Sequence, residues 1–202
     1  PNLDVVGAAE AAGLRFVLAH GETAATIMAA ASADLTAVPG AVVVTRGPGL
    51  ASAVNGIAHA ALDRLPVVVI ADTVADTRIS HQRIDQAALG RSVAKAAVTV
   101  SGPSAAARAV ATALGAPPGP VIANMDDGAA DQDGSEEFAP SAAEESAAVL
   151  AKAARRARRP VVLLGTGAIP RTAAVRGALG GRGIPALHTY RARGVLPDSG
   201  AE

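Results

Sequence analysis

The residues best suited to chemistry lie in short loops that follow apolar runs. Glu22 comes after the run Leu14–Ala19 and Gly21, and it opens a segment rich in Ala, Ile and Met. Two readings are open for it. A carboxylate in the first turn of a helix complements the helix dipole, worth a few tenths of a kcal/mol. The same carboxylate at the carboxyl end of a strand can bond a ligand nitrogen. Gly47-Pro48-Gly49 follows the β-branched run Ala41–Thr45 and precedes a helix-period segment. It can be a tight turn, where Gly allows positive φ and Pro fixes φ. It can also be backbone laid bare at a helix N-terminus for close ligand approach. Gly165-Thr166-Gly167 repeats this arrangement and opens like a dinucleotide fingerprint. Pro170 stands where the third glycine belongs, so the structural turn is the favoured reading.

The histidines add little metal chemistry. His20, His59, His81 and His188 form no pair with metal-ligand spacing and a third ligand nearby, so no zinc site is expected. His59 falls mid-helix and reads as structural. His81 and Gln82 fall in a loop at the expected ligand end. No G-x-S-x-G elbow occurs, so a hydrolase triad has no support.

The elements that must position these residues alternate. Strands are expected at Leu14–Ala19, Ala41–Thr45, Pro66–Ala71, Lys95–Val100 and Pro120–Asn124. Helices are expected at Glu22–Ala33, Ala51–Asp63, Gln86–Leu89 and Ser104–Leu114, the last with Ser104 as N-cap. AVVVT and PVVVIA are apolar throughout, as in strands buried on both faces. Strict alternation implies an α/β fold, a parallel sheet with helices on both faces. Ligands then sit at the carboxyl ends of the strands. That rule points to the loops His20–Glu22, Arg46–Gly49 and Asp72–Gln82.

Residues Asp126–Pro140 are acidic and Gly-rich and read as an interdomain linker. A second unit follows: helix Ser141–Ala157, strand Val161–Leu164, helix Thr172–Leu179 and strand Pro185–Leu187. It gives at most a β-α-β half and is small for an independent core. The chain is therefore expected to be a fragment of a longer protein.

Composition sets outer bounds. The 202 residues hold 18 Lys+Arg and 18 Asp+Glu, a formal net charge of zero. That removes the bulk electrostatic case for nucleic acid or an anionic membrane surface. The only aromatics are Phe16, Phe138 and Tyr190, too few for a base-stacking platform. No apolar run reaches the roughly 18 residues needed to span a bilayer. Without cysteine there are no disulfides, thiolate zinc sites or iron–sulfur clusters, and a cytoplasmic setting is the expectation.

Taken together, the motifs resemble the thiamine diphosphate-dependent enzymes of the acetolactate synthase and 2-oxo acid decarboxylase type. Phe16 to Ala25 (FVLAHGETAA) looks like the family's strand, catalytic glutamate and following helix. Val42 to Gly49 (VVVTRGPG) and Ser52 to Ala58 (SAVNGIA) match its GPG loop and helix. Asp63 to Ile70 (DRLPVVVI), His81 to Asp85 (HQRID) and Val93-Ala94-Lys95 match the next strand, the Gln-loop and the Lys segment. Arg159 to Gly167, Gly183 to Thr189 and Arg193 to Pro197 look like the first half of the central domain. Some positions depart from the pattern: Gly21 directly precedes Glu22 where His is common, Ser52 replaces a frequent Asn, and Asp72 follows the strand where Gly is frequent.

The resemblance implies a pyrimidine-binding domain over residues 1–128 lacking its first strand, and a linker over 129–141. The N-terminal part of an incomplete Rossmann-like central domain would then cover 142–202. It implies that Glu22 is catalytic, bonding a ring nitrogen of the cofactor's aminopyrimidine so that the imino form can take a proton from the thiazolium. Gly47, Pro48, Gly49 and Ser52 would join Glu22 in binding the cofactor. Gln82 and His81 would face a 2-oxo acid. No metal ligand is expected here, because magnesium would be held with the diphosphate in a domain absent from this sequence. FAD could sit as an accessory in the central domain. A homodimer or homotetramer is implied. The implied activity is acetolactate synthase-like, decarboxylation with carbon–carbon bond formation. A decarboxylase or lyase of the same family, or a non-catalytic assembly domain that keeps the fold, are the alternatives.

Overall fold

A computed structural model of the chain describes residues 2–73, 79–125 and 143–197. The linker expected at 129–141 lies outside the described residues. The chain divides into two units, 1–139 and 140–202, each with its own core.

The first unit is built on four parallel strands: β1 (Gly40–Val44), β2 (Val67–Asp72), β3 (Ala96–Val100) and β4 (Val121–Met125). Their order across the sheet is β1-β2-β4-β3. Strand β2 shows why an unbroken apolar run suits an interior position. Val67, Val69 and Ala71 join one core cluster, with Leu50, Ala53 and Ile57 of α3 (Pro48–Leu62) and Ala30 of α2 (Glu22–Thr36). Val68 alternates to the opposite face, where Ala105, Ala109 and Ala113 of α5 (Pro103–Leu114) cover it. Helix α4 (Gln86–Val93) joins the first face through Leu89 and Val93. The parallel α/β expectation holds.

The second unit has parallel strands β5 (Val162–Leu164) and β6 (Ala186–His188), with helices α6 (Ala143–Arg156) and α7 (Thr172–Leu179). Its buried cluster is small: Leu164, Ala192 and Val195, with Val162, Val175 and Leu179 against it.

Two expectations are corrected, and one element is new. Residues 14–19 do not form a strand among the described residues. Leu14, Val17 and Leu18 are exposed, and strand propensity without a neighbouring ladder leaves the backbone groups to water. Residues 2–11 form a helix, α1, that the sequence reading did not anticipate. Its apolar residues make no single stripe, although Ala and Glu favour helix. Helix α5 is capped by Gly102 rather than Ser104, because Pro103 occupies the first helical position, where a missing N–H costs nothing. Lys95 closes the other end of α5. Its Nζ donates to the carbonyls of Thr112 and Gly115, both at 2.6 Å, and desolvation lowers its pKa from the usual 10.5.

Candidate functional site

Glu22 is the first residue of α2, and its placement follows from how α2 packs on α3. Thr26, one turn on, is fully buried and donates through Oγ1 to the Glu22 carbonyl at 2.7 Å. Opposite it is Gly56 of α3, where an added Cβ would lie 2.6 Å from Thr26 Cβ. A larger residue at 56 would push the helices apart. Thr23 Oγ1 donates to the Ser52 carbonyl at 2.5 Å, fixing the register of the two helices near their N-termini. The result sets the half-buried Glu22 side chain over the start of α3, with Oε1 at 3.4 Å from a Cβ built on Gly49. Among the described residues, no side chain or amide donates a hydrogen bond to that carboxylate. Two helix N-termini nonetheless favour negative charge there.

The Gly47–Gly49 turn joins β1 to α3. Gly47 is buried with φ +60° and ψ −108°, a conformation that L side chains rarely adopt. A Cβ on it would overlap the carbonyl of Gln82. The turn's amides are held by side chains distant in sequence. The Arg46 N–H donates to Asp72 Oδ1 at 3.0 Å, and the Arg46 guanidinium pairs with the same carboxylate. The Gly47 N–H donates to Gln86 Oε1 at 2.7 Å. Pro48 starts α3, its missing N–H costing nothing at that position.

Glu22, Gly47, Pro48, Gly49 and Gln82 are thus brought together at the carboxyl ends of the strands. Gln82 is half-buried, and its backbone N–H donates to Ser80 Oγ at 3.2 Å. Ser52 sits at the rim on an exposed helix face, and its hydroxyl donates to the Pro48 carbonyl at 3.0 Å. His81 and His20 are exposed. His59 is at 3.8 Å from Asp63 on the surface of α3, away from the turn. A cavity of about 640 Å³ opens beside Gln82, bounded also by Thr73, Asp85, Gln86, Thr99 and Asn124.

The residues that sequence reasoning missed are Gln86 and Asn124, and it noted Asp72 only as the start of a ligand-end loop and as a departure from a pattern. All three are buried polar side chains. Gln86 opens α4 directly after the N-cap Asp85, which reads locally as a solvated first turn. Its partners lie 14, 38 and 39 residues away, so no local signal reveals them.

In the second unit, Gly165 and Gly167 have no atom within 4 Å of an added Cβ. Thr166–Arg171 forms a 3₁₀ turn around Pro170. Neither glycine is required by a close approach. Among the described residues, no group of three or more His, Asp or Glu side chains could hold a metal ion, and no helix is long and apolar enough to cross a membrane.

Comparison with known proteins gives a family match within the first unit. Residues 1–89, which include Glu22, the Gly47 turn, Gln82 and Gln86, match the family model of the thiamine pyrophosphate enzyme N-terminal TPP binding domain. The chain is 29% identical to a 2-hydroxyacyl-CoA lyase of Oryza sativa subsp. japonica, across 98% of this chain and 40% of the lyase. It is 35% identical to the acetolactate synthase isozyme 3 large subunit of Escherichia coli, over 56% of this chain and 21% of that subunit. It is 31% identical to the acetolactate synthase of Bacillus subtilis, over 91% of this chain and 35% of that enzyme. The chain therefore spans well under half the length of these relatives. In its sequence matches and its parallel α/β fold, the chain is similar to the thiamine diphosphate-dependent, acetolactate synthase-like enzymes, with residues 1–89 matching their N-terminal cofactor-binding domain.

Proposed function

We propose that the protein carrying this chain is a thiamine diphosphate-dependent enzyme that acts on a 2-oxo acid, breaking the bond to its carboxyl group and joining the remaining fragment to an acceptor. One observation carries the reading. Glu22 presents a half-buried carboxylate against Gly49, with no hydrogen-bond donor spent on it by the described residues. A structural carboxylate at that depth would be expected to have partners. An open one suits a ligand N–H.

The residues fit the aminopyrimidine end of the cofactor. Glu22 would hold the ring by one hydrogen bond, its carboxylate accepting from a protonated ring nitrogen. The backbone of Gly47–Gly49 would lie against the ring, and its lack of side chains permits that approach. Thr23 and Thr26 would keep the carboxylate in place through α2. Gln82, half-buried beside Gly47, would face the substrate. When bound, the cofactor supplies an electron sink for the carbanion left by decarboxylation. A site with little water makes the Glu22 hydrogen bond count for more. Ser52 and His81 would act at the rim of the site. Magnesium and the diphosphate group would be held by a domain other than the two described here, brought in by a homodimer or homotetramer. FAD is not part of the proposal, because the Gly165–Gly167 turn shows no built site.

A second reading rests on the lyase relative, which aligns along 98% of the chain. By that analogy the substrate would be a 2-hydroxyacyl thioester cleaved by the same machinery. Assaying full-length protein against a panel of 2-oxo acids and 2-hydroxyacyl thioesters separates the two.

The decisive variant is Glu22→Gln in the full-length protein. Turnover should fall on the order of 10²–10³-fold with the fold retained, as when one well-placed electrostatic group is lost. Turnover within about tenfold of the parent would overturn the catalytic assignment. Cofactor binding without turnover of any substrate would favour the non-catalytic assembly domain.

A further inference from the structure

Gln86 sits where three elements meet, and every polar atom of its carboxamide is used. Oε1 accepts the Gly47 N–H at 2.7 Å. Nε2 donates to Asn124 Oδ1 at 2.8 Å and to the Asp72 carbonyl at 3.2 Å. These bonds fix which end of the amide is oxygen, since Gly47 offers only a donor and Asp72 only an acceptor. Gln86 and Asn124 are both buried. A buried polar network of this kind is costly unless fully satisfied, so it specifies one arrangement.

That arrangement governs the turn. Arg46 and Gly47 are consecutive, and both of their amides are taken by buried side chains, Asp72 and Gln86. With those amides turned inward, the Pro48–Gly49 side of the turn is the side presented to Glu22. The same side chain also sets the Gln82 loop. Gln86 is four residues beyond Gln82, whose carbonyl rests on Gly47 where a Cβ would otherwise be. Gln86 therefore ties the turn to the loop.

We propose that Gln86, oriented by Asn124, is a positioning residue that locks the Gly47 turn and the Gln82 loop into one rigid unit. Through that lock it would set both cofactor affinity and the alignment of substrate. The inference rests on the cofactor reading above, but its test does not depend on activity alone.

The experiment uses full-length protein and the variants Gln86→Met and Asn124→Ala. Methionine keeps the length of the side chain and removes all three hydrogen bonds. The first readout is amide hydrogen exchange, without cofactor, of the peptide containing Arg46 and Gly47. Exchange should quicken on the order of tenfold in Gln86→Met and less in Asn124→Ala. The second is calorimetric titration with thiamine diphosphate and magnesium, where affinity should fall about tenfold. The third is the kinetic split. Turnover should fall on the order of 10²-fold per folded molecule, as expected when a catalytic geometry is misplaced. The double variant should be no worse than Gln86→Met, since Asn124 acts through Gln86. Faster exchange with weaker binding supports the lock. Unchanged exchange at Arg46–Gly47, or unchanged affinity and turnover with only a lower melting temperature, overturns it. If Gln86→Met does not fold, Asn124→Ala decides by the same readouts. Failure of the parent protein to bind the cofactor would instead count against the cofactor reading, with the exchange result still judging the lock.

Discussion

Two strand-to-helix turns in this chain share a Gly-X-Gly sequence, and the structure treats them in opposite ways. Gly47-Pro48-Gly49 in the first unit is buried at Gly47, has a positive φ there, and meets the Gln82 backbone with no room for a side chain. Its amides are held by Asp72 and Gln86 from two other elements. Gly165-Thr166-Gly167 in the second unit has open space where each Cβ would go, and Gly165 has an ordinary φ of −103°. The tripeptide is thus a poor guide to a binding site. What distinguishes a site is the long-range polar support behind the turn and a carboxylate in front of it. The units differ in the same sense: the first has a core on both faces of a four-stranded sheet, the second a small cluster on two short strands.

Substitutions can sharpen or break this contrast. The largest effect is expected from Gly47→Ala. It combines an unfavourable φ with a clash against the Gln82 backbone, and should destabilise the first unit by about 3–4 kcal/mol. Denaturant unfolding of full-length protein checks this, and a loss below about 1 kcal/mol would show that the turn relaxes easily. Asp72→Ala comes next. It strips the Arg46 amide and guanidinium of their shared partner, at a cost of about 2–3 kcal/mol, less than for a wholly buried pair because Arg46 is partly exposed. Arg176→Met should cost about 1 kcal/mol in the second unit. Its guanidinium donates to the carbonyls of Val195 and Gly194 at 2.7 and 2.8 Å, tying α7 to the segment after β6. The smallest effect belongs to Gly165→Ala, expected within about 0.5 kcal/mol of the parent. A loss at Gly165 equal to that at Gly47 would erase the distinction between the turns.

Much of the architecture was legible because it is written locally. PVVVIA announces an interior parallel strand; AVVVT also forms a strand, but at the edge of the described sheet with Ala41 exposed rather than buried on both faces, and β1 and β2 fall within a residue or so of their expected bounds. Helix α7 begins and ends where the pattern placed it. The failures also have physical causes. Leu14–Ala19 has the composition of a strand, but pairing needs a neighbour, and among the described residues it has none. Helix α1 has helix-forming residues without a stripe, so periodicity gave no signal. At the site, Gly47, Gly49 and Gln82 fall in loops that the strand-end rule points to, whereas Glu22 was picked out after an expected strand at 14–19 that does not form, and its role rested on the family resemblance. Gln86 and Asn124 were not visible. Each is a single polar residue in an ordinary local setting, and only the fold brings them together.

As proposed, Glu22 and the locked Gly47 turn form one half of a thiamine diphosphate site. This is tested most directly by calorimetric titration of full-length protein with thiamine diphosphate and magnesium, beside the Glu22→Ala variant. Saturable binding by the parent is expected, with affinity weakened about tenfold or more in the variant and the same unfolding midpoint. Equal affinity in the two proteins, or no binding by the folded parent, would contradict it.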